Sequence, residues 1–395
     1  MTERREVWIT GVGLVTCLGE GLEAAWSHLD RGDPPPYDSK SFAPYIVHPL
    51  APINFDKQIP KKSDQRQMEL WQRIGVYAAG LALADAGVAG NAELLDRTDM
   101  IVAAGGGERD IPADSAILTG IRKAADASRF LNERLMSDLR PTLFLAQLPN
   151  LLAGNISIVH GVVGSSRTFL GEESAGVDAV RIAHARVAAG QSEMTLVGAA
   201  YNGARWDILL IFEQAGAVLK DKFAPVWDRG PEGAIAFGNM GAFLVLESRE
   251  HAQARSARPR ARLVSIISER SRRQPGDIET TLRREWQALE PKIDRRHAAV
   301  ISGAAGLEPA TSAERDTLAK TGLPIRNTET YIGHGLEAQF PTNLAIACAV
   351  LEHGKLFAPT GTGDTGESPT GLSQVLVTSV GNWRGEGLAL IERAE

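Results

Sequence analysis

The chain has 395 residues, 44% hydrophobic and 23% charged, with a formal net charge of −6. That length admits two domains or one large duplicated one, the composition is that of an ordinary folded protein, and the acidic balance leaves no electrostatic footprint for nucleic acid. No apolar run approaches the roughly 18 residues of a spanning helix, so no membrane span is expected.

The opening MTERREVWIT enters a strand at once, which predicts that no signal peptide precedes the fold. Residues 7–10 form the first candidate strand. Gly11-Val12-Gly13 followed by Gly19 only loosely imitates a dinucleotide fingerprint: the spacing fails and no acidic residue completes it. Residues 32–60 are rich in Pro and polar side chains and read as a long surface loop. A helix is predicted over 68–86 and a strand over 100–103. A strand over 167–170, a sharp turn and a helix over 175–189 follow, and the turn carries Glu172 and Glu173. Strands over 194–197 and 242–247 close the first set, and Arg258-Pro259-Arg260 is a plausible seam. The second set comprises strands over 261–267, 298–302, 324–327, 374–378 and 388–392, with a helix over 340–353. Strand–helix alternation argues for α/β layers. The two sets share a layout, in which a strand delivers a polar residue to a helix start, and this suggests a duplication. Cys17 and Cys348 have neither metal-ligand spacing nor a disulfide framework, so a reducing cytoplasm is the expected location, with no metal and no cofactor.

Long blocks in chain order point to a family. VWITGVGLVTCLGEGLEAAWSHLDRG, KKSDQRQMELWQRIGVYAAGLALADAG, LPNLLAGNISIVHGVVGSSRTF, AGVDAVRIAHARVAAGQSEMTLVGAA, APVWDRGPEGAIAFGNMGAFLVLESREHA and TETYIGHGLEAQFPTNLAIACAVLEHGKLFAPT cover nearly the whole chain. They resemble β-ketoacyl-acyl-carrier-protein synthases of the elongating, FabF-like type. The resemblance implies a thiolase-like, duplicated αβαβα five-layer α/β fold, with one half over residues 1–250 and the other over 251–395. It also implies a dimer formed through the strand before the nucleophile, with Asn150 and the strand over 167–170 in the interface blocks.

Carried over position by position, the resemblance places Glu173 where the family has its cysteine in T-A-C-x-[ST]-G. Gly303-Ala304-Ala305-Gly306-Leu307-Glu308-Pro309 matches N-A-H-G-T-S-T, so Ala305 stands at the first histidine. Glu329-Thr330-Tyr331-Ile332-Gly333-His334 matches K-x-x-x-G-H, which keeps His334 and turns the lysine into Glu329. The closing G-F-G-G-T-N loop reads Gly381-Asn382-Trp383-Arg384-Gly385-Glu386, placing Asn382, Trp383 and Arg384 beside the expected substrate tunnel. Lys62 and Arg66 match basic positions that the family uses to dock its acidic carrier protein.

Each departure has a chemical meaning. Condensation needs a thiolate to hold the growing acyl chain, and a carboxylate is a poor acyl carrier. A glutamate in the first helical turn also has a plain structural use, complementing the macrodipole by about 0.3–1 kcal/mol. Losing one of two enolate-stabilising donors costs about 2.7–4 kcal/mol of transition-state stabilisation. Ser174 has no G-x-S-x-G elbow around it, Cys17 and Cys348 read as packing residues, and Arg255, Arg258, Arg260 and Arg262 as a solvated face. The expectation is a non-condensing, chain-length-factor-like subunit in fatty-acid or polyketide synthesis. Its partners would be an active ketosynthase or a second copy of itself, and an acyl carrier protein. Two alternatives stand beside it. One is a residual decarboxylase, hydrolase or acyltransferase that uses Glu173, its pKa raised toward neutrality, with His334. The other is a module that binds an acyl chain or its carrier protein. A Glu173–His334 ion pair is the structural expectation, to be dropped if the two side chains lie well beyond hydrogen-bond reach.

Overall fold

The computed structural model describes residues 4–139 and 142–394. Ten strands form its main sheet path: β1 (Val7–Thr16), β2 (Asp99–Ala103), β3 (Ser166–Phe169), β4 (Met194–Asn202), β5 (Phe237–Ser248), β6 (Ala261–Glu269), β7 (Ala298–Ser302), β8 (Ile325–Asn327), β9 (Gln374–Val380) and β10 (Glu386–Glu392). The order is β8-β7-β9-β10-β6-β1-β5-β4-β2-β3, with two-residue strands at Gly19–Glu20 and Val47–His48 beside it.

The path consists of two repeats. In each, the third and second strands run parallel, the second and fourth run parallel, and the remaining pairs are antiparallel. The repeats meet where β1 pairs with β6 at Trp8↔Arg262 and Ile9↔Ala261. Arg258-Pro259-Arg260 lies between the short helix Arg249–Ala254 and β6.

Side-chain alternation assigns each sheet face to a layer. On β5, Ala242, Leu244 and Leu246 point into the central core, while Phe243 and Val245 belong to an outer one. Helix α1 (Leu70–Asp85) and helix α2 (Leu151–His160) pack together over the outer face of the first repeat. Helix α3 (Glu173–Ala188) and helix α7 (Gln339–His353) pack against each other between the sheets. Helices α5 (Asp277–Leu289) and α6 (Ala310–Ala319) cover the second repeat, and α4 (Trp206–Gln214) follows β4. The result is the expected duplicated five-layer αβαβα arrangement of the thiolase type.

Several elements differ from expectation. The helix placed at 68–86 starts at Leu70, because Met68 is extended and Glu69 with Gln72 closes a capping box. Residues 32–60 also contain the strand Val47–His48, paired to Phe237–Gly238, and a short 3-10 turn at Phe55–Lys57. Three helices, Ile111–Ile121, Ala127–Asp138 and Leu143–Ala146, occupy a stretch in which no element was expected. Gly11-Val12-Gly13 lies inside β1 rather than at a strand-to-helix turn, which removes the dinucleotide reading on geometry as well as spacing. Among the described residues no helix is long and apolar enough to cross a membrane. No group of three or more His, Cys, Asp or Glu side chains among them is arranged to hold a metal ion.

Candidate functional site

Strand β3 ends at Phe169, the chain turns through Leu170-Gly171-Glu172, and Glu173 opens α3. The two glutamates go different ways. Glu172 faces outward, where Arg384 Nε donates to its carboxylate at 2.9 Å. Glu173 turns inward and is only 3% exposed.

His334 comes to Glu173 from the second repeat. Its backbone is pinned to the start of β5: its N–H donates to Ala236 O at 2.8 Å, and its carbonyl accepts from Gly238 N at 2.9 Å. Gly333 precedes it at φ +70°, with Gly238 N and Ala236 O so near that a Cβ would meet them at 2.8 and 2.9 Å. Only glycine satisfies both the dihedral and the space. The imidazole is fully buried, and His334 Nε2 lies 3.0 Å from Glu173 Oε1. Nδ1 lies 3.0 Å from Glu329 Oε1, an ion-pair distance that falls short of hydrogen-bond geometry. Asn382 Nδ2 donates to Glu173 Oε1 at 2.7 Å. Glu173 Oε2 is buried without a hydrogen bond among the described residues.

These contacts set the direction of each pKa shift. Burial alone would pull the His334 pKa down; the carboxylates of Glu329 and Glu173 outweigh it and raise it to about 10. Burial would push Glu173 up, but the hydrogen bond and charge of His334 hold it below the usual carboxylate range. This corrects the expectation of a Glu173 raised toward neutrality, which allowed for desolvation but not for a buried imidazolium. Glu329 goes the other way: burial dominates, His334 and Arg229 only partly offset it, and its carboxyl titrates at about 7. Arg229, itself depressed to about 10 by burial, spends its hydrogen bonds on the carbonyls of Ala224, Ala234 and Ala305.

Ala305 places only a methyl in the central core and gives its carbonyl to Arg229. The segment Leu307-Glu308-Pro309 leads into α6, and Glu308 Oε2 accepts from Ser312 N at 3.0 Å. Trp383 and Arg384 stand at the rim rather than inside. Trp383 is half-exposed and meets Phe212 edge to face at 5.3 Å, while Arg384 holds Glu172. Ser174 is buried against Gly385. Lys62 is some way off on the exposed helix Lys62–Gln67, where Asp56 takes its ammonium at 2.5 Å; Arg66, exposed on the same helix, has no ion pair among the described residues.

Sequence reasoning missed several polar groups that surround this cluster. Glu337, three residues after His334, is buried and accepts from Gly105 N at 2.6 Å. Burial, reinforced by the Glu173 charge, lifts its carboxyl to about 8. Glu108 accepts from Trp71 N at 2.9 Å and Asn202 Nδ2 at 3.0 Å, and burial raises it too. Arg273 pairs with Glu386 and donates to the carbonyls of Gly381 and Gly385, which fixes the loop that carries Asn382. Glu337 lies in the quoted block around His334, where a charged residue among small and apolar ones was a readable signal. Arg273 had none, since it arrives from a loop distant in sequence.

A site built where two like halves meet, at the head of a central helix, is that of a thiolase-type fold. Residues 4–252 match the beta-ketoacyl synthase N-terminal domain, and the chain belongs to the beta-ketoacyl synthase family. The chain is 24% identical over 273 residues to the 3-oxoacyl-[acyl-carrier-protein] synthase 2 of Vibrio cholerae; the match covers 67% of this chain and 63% of that protein. The chain thus spans slightly under two thirds of the length of that relative. In structure it resembles a beta-ketoacyl synthase from Burkholderia phymatum, with a TM-score of 0.81 at 21% identity, covering 99% of this chain and 100% of that one. The ishigamide ketosynthase/chain length factor gives a TM-score of 0.81 at 18% identity, again over 99% and 100%.

Proposed function

We propose that this chain is a non-condensing ketosynthase subunit of fatty-acid or polyketide synthesis, comparable to a chain length factor, that acts by pairing with an active ketosynthase. The observation that carries this reading is Glu173, at the head of α3, held in a buried network with His334 and Asn382. A carboxylate there cannot carry an acyl chain as a thioester. His334, as an imidazolium committed to two carboxylates, has no free proton acceptor, and Ala305 supplies no second donor. Glu173 is also a weak base, because its pKa is lowered rather than poised near 7. This weighs against the hydrolase, decarboxylase and acyltransferase alternatives. Burial of the same carboxylate weighs against a module that binds an acyl chain at this point.

The partner reading is supported by the open edge of β3, the end of the sheet path. Leu170, Val163 and Ile158 are exposed apolar side chains near that edge. Unpaired strand edges bordered by apolar surface invite pairing with another chain. A carrier protein would then dock mainly on the partner, since Asp56 already neutralises Lys62.

The test is to purify the chain alone and after co-expression with a neighbouring ketosynthase. Alone, it is expected to leave malonyl- and acyl-thioesters unchanged; together, a stable heteromer and condensation are expected. Turnover by the chain alone that vanishes in Glu173→Gln, or recovery of only a homodimer beside the ketosynthase, would overturn the proposal.

A further inference from the structure

Helix α3 has a second end. Its first turn holds Glu173; its last turns form one wall of a cleft of about 800 Å³ on the far side of the molecule. At 1.5 Å per residue, the dozen residues between them put the cleft roughly 18 Å from the carboxylate. The other walls come from the segment before β1, from β3, from β6 and from the short turn Glu290–Lys292.

The cleft is strongly cationic in a chain whose net charge is −6. Some of its cations have local counter-charges: Arg181 pairs with Asp178, Arg186 with Asp99 and Arg262 with Glu6. Arg4, Arg167 and Lys292 have no ion pair among the described residues, and they come from three separate segments: the stretch before β1, β3 and the turn Glu290–Lys292. The C-terminal end of α3 offers about half a negative charge, enough to offset part of one of them. The field is felt inside the wall: burial, with Arg4 and Lys292 adding to it, depresses His184 to about 4. Apolar lining comes from Ile182 and Ile266, both packed against the central core.

We propose that this cleft binds a small, multiply charged phosphate compound that also carries an apolar or ring portion, such as a nucleoside polyphosphate. Guanidinium groups match phosphate oxygens in a forked, charge-assisted geometry. Three uncompensated cations on separate walls suit several charges on one ligand better than a single carboxylate. The volume lies in the range of small-molecule sites, 300–1,000 Å³ in order of magnitude, and the concavity excludes a broad protein surface.

The test is equilibrium titration of the full chain with inorganic tripolyphosphate and with ATP, at low and at physiological salt. Saturable binding of both is expected, tighter for ATP and weakened by salt. Arg167→Glu and Lys292→Glu should each weaken it about tenfold or more, while Lys222→Glu, outside the cleft lining, leaves it unchanged. Circular dichroism and thermal melting confirm that each variant folds. No saturation by either probe up to about 1 mM, in the weakest range of specific affinity, would overturn the proposal. So would equal binding by the Arg167 and Lys292 variants, or binding confined to long polyanions such as heparin.

Discussion

Glu173, His334 and Glu329 form a chain of charges in which each depends on the next. His334 is fully buried; as an imidazolium it neutralises Glu173, while Glu329, its carboxyl raised to about 7, lies 3.0 Å from the other ring nitrogen. Removing one partner of a buried pair leaves an uncompensated charge, so His334→Ala is expected to destabilise the fold by about 3–5 kcal/mol near pH 6. The pH dependence follows from the directions of the shifts. The folded pKa of His334 is raised to about 10, so its contribution is complete below its unfolded value, about 6.5, and is lost as pH rises through 10. Glu173 is lowered, so its contribution is present above about 4.5 and lost as pH falls through its folded value. Glu329 and Glu337, raised to about 7 and 8, hold protons that the unfolded chain releases, and stability falls as pH rises past 4.5 toward those values. Thermal melts should therefore show wild-type stability declining between about pH 5 and pH 10. The gap to His334→Ala should be widest near pH 5–6 and should close toward pH 10. A gap that widens between about pH 7 and pH 10 would refute the buried imidazolium.

At the scale of elements, the close contact of α3 with the turn Leu336–Ala338 is the joint that brings the halves of the site together. A Cβ on Gly176 would run into the backbone carbonyl of Glu337. Gly176→Ala is expected to cost about 1–3 kcal/mol by overpacking, read in urea unfolding, with exchange protection lost first at Gly105 and Glu337. An unchanged midpoint would mean that the joint has slack. The sequence made the layers legible because β1, β5 and α7 are long apolar runs bounded by turn residues. It made Glu173 and His334 legible because both lie in blocks whose order matches a known family. The helices between Ile111 and Ala146 were not read from the sequence: Ala127–Asp138 carries Phe130, Leu131 and Leu135 at helical spacing but buries no residue. Asn382 was named only as part of a loop, since its role depends on where Arg273 fixes that loop. The low pKa of Glu173 was not legible either, since it depends on a partner 161 residues away.

For the whole molecule, the open edge of β3 ends the sheet path, and on the proposed reading it is where a second chain pairs. Leu170 is 69% exposed, so Leu170→Asp should leave the melting temperature of the isolated chain unchanged. Sedimentation should show loss of self-association and of pairing with a ketosynthase; an assembly that survives would place the interface elsewhere. The two repeats share one hydrogen-bonded path through Trp8↔Arg262 and Ile9↔Ala261, and the charge chain crosses the same divide, with Glu173 from one repeat and His334, Glu329 and Asn382 from the other. This has a consequence for descent. A recombination joint near residue 258 that brought in the second half of an active relative would separate Glu173 from the groups that neutralise and orient it. Glu173→Cys alone would meet an imidazolium still bound to Glu329 and a methyl at Ala305. On the proposed non-condensing reading, the two halves have to be inherited together, and condensation would require several changes at once.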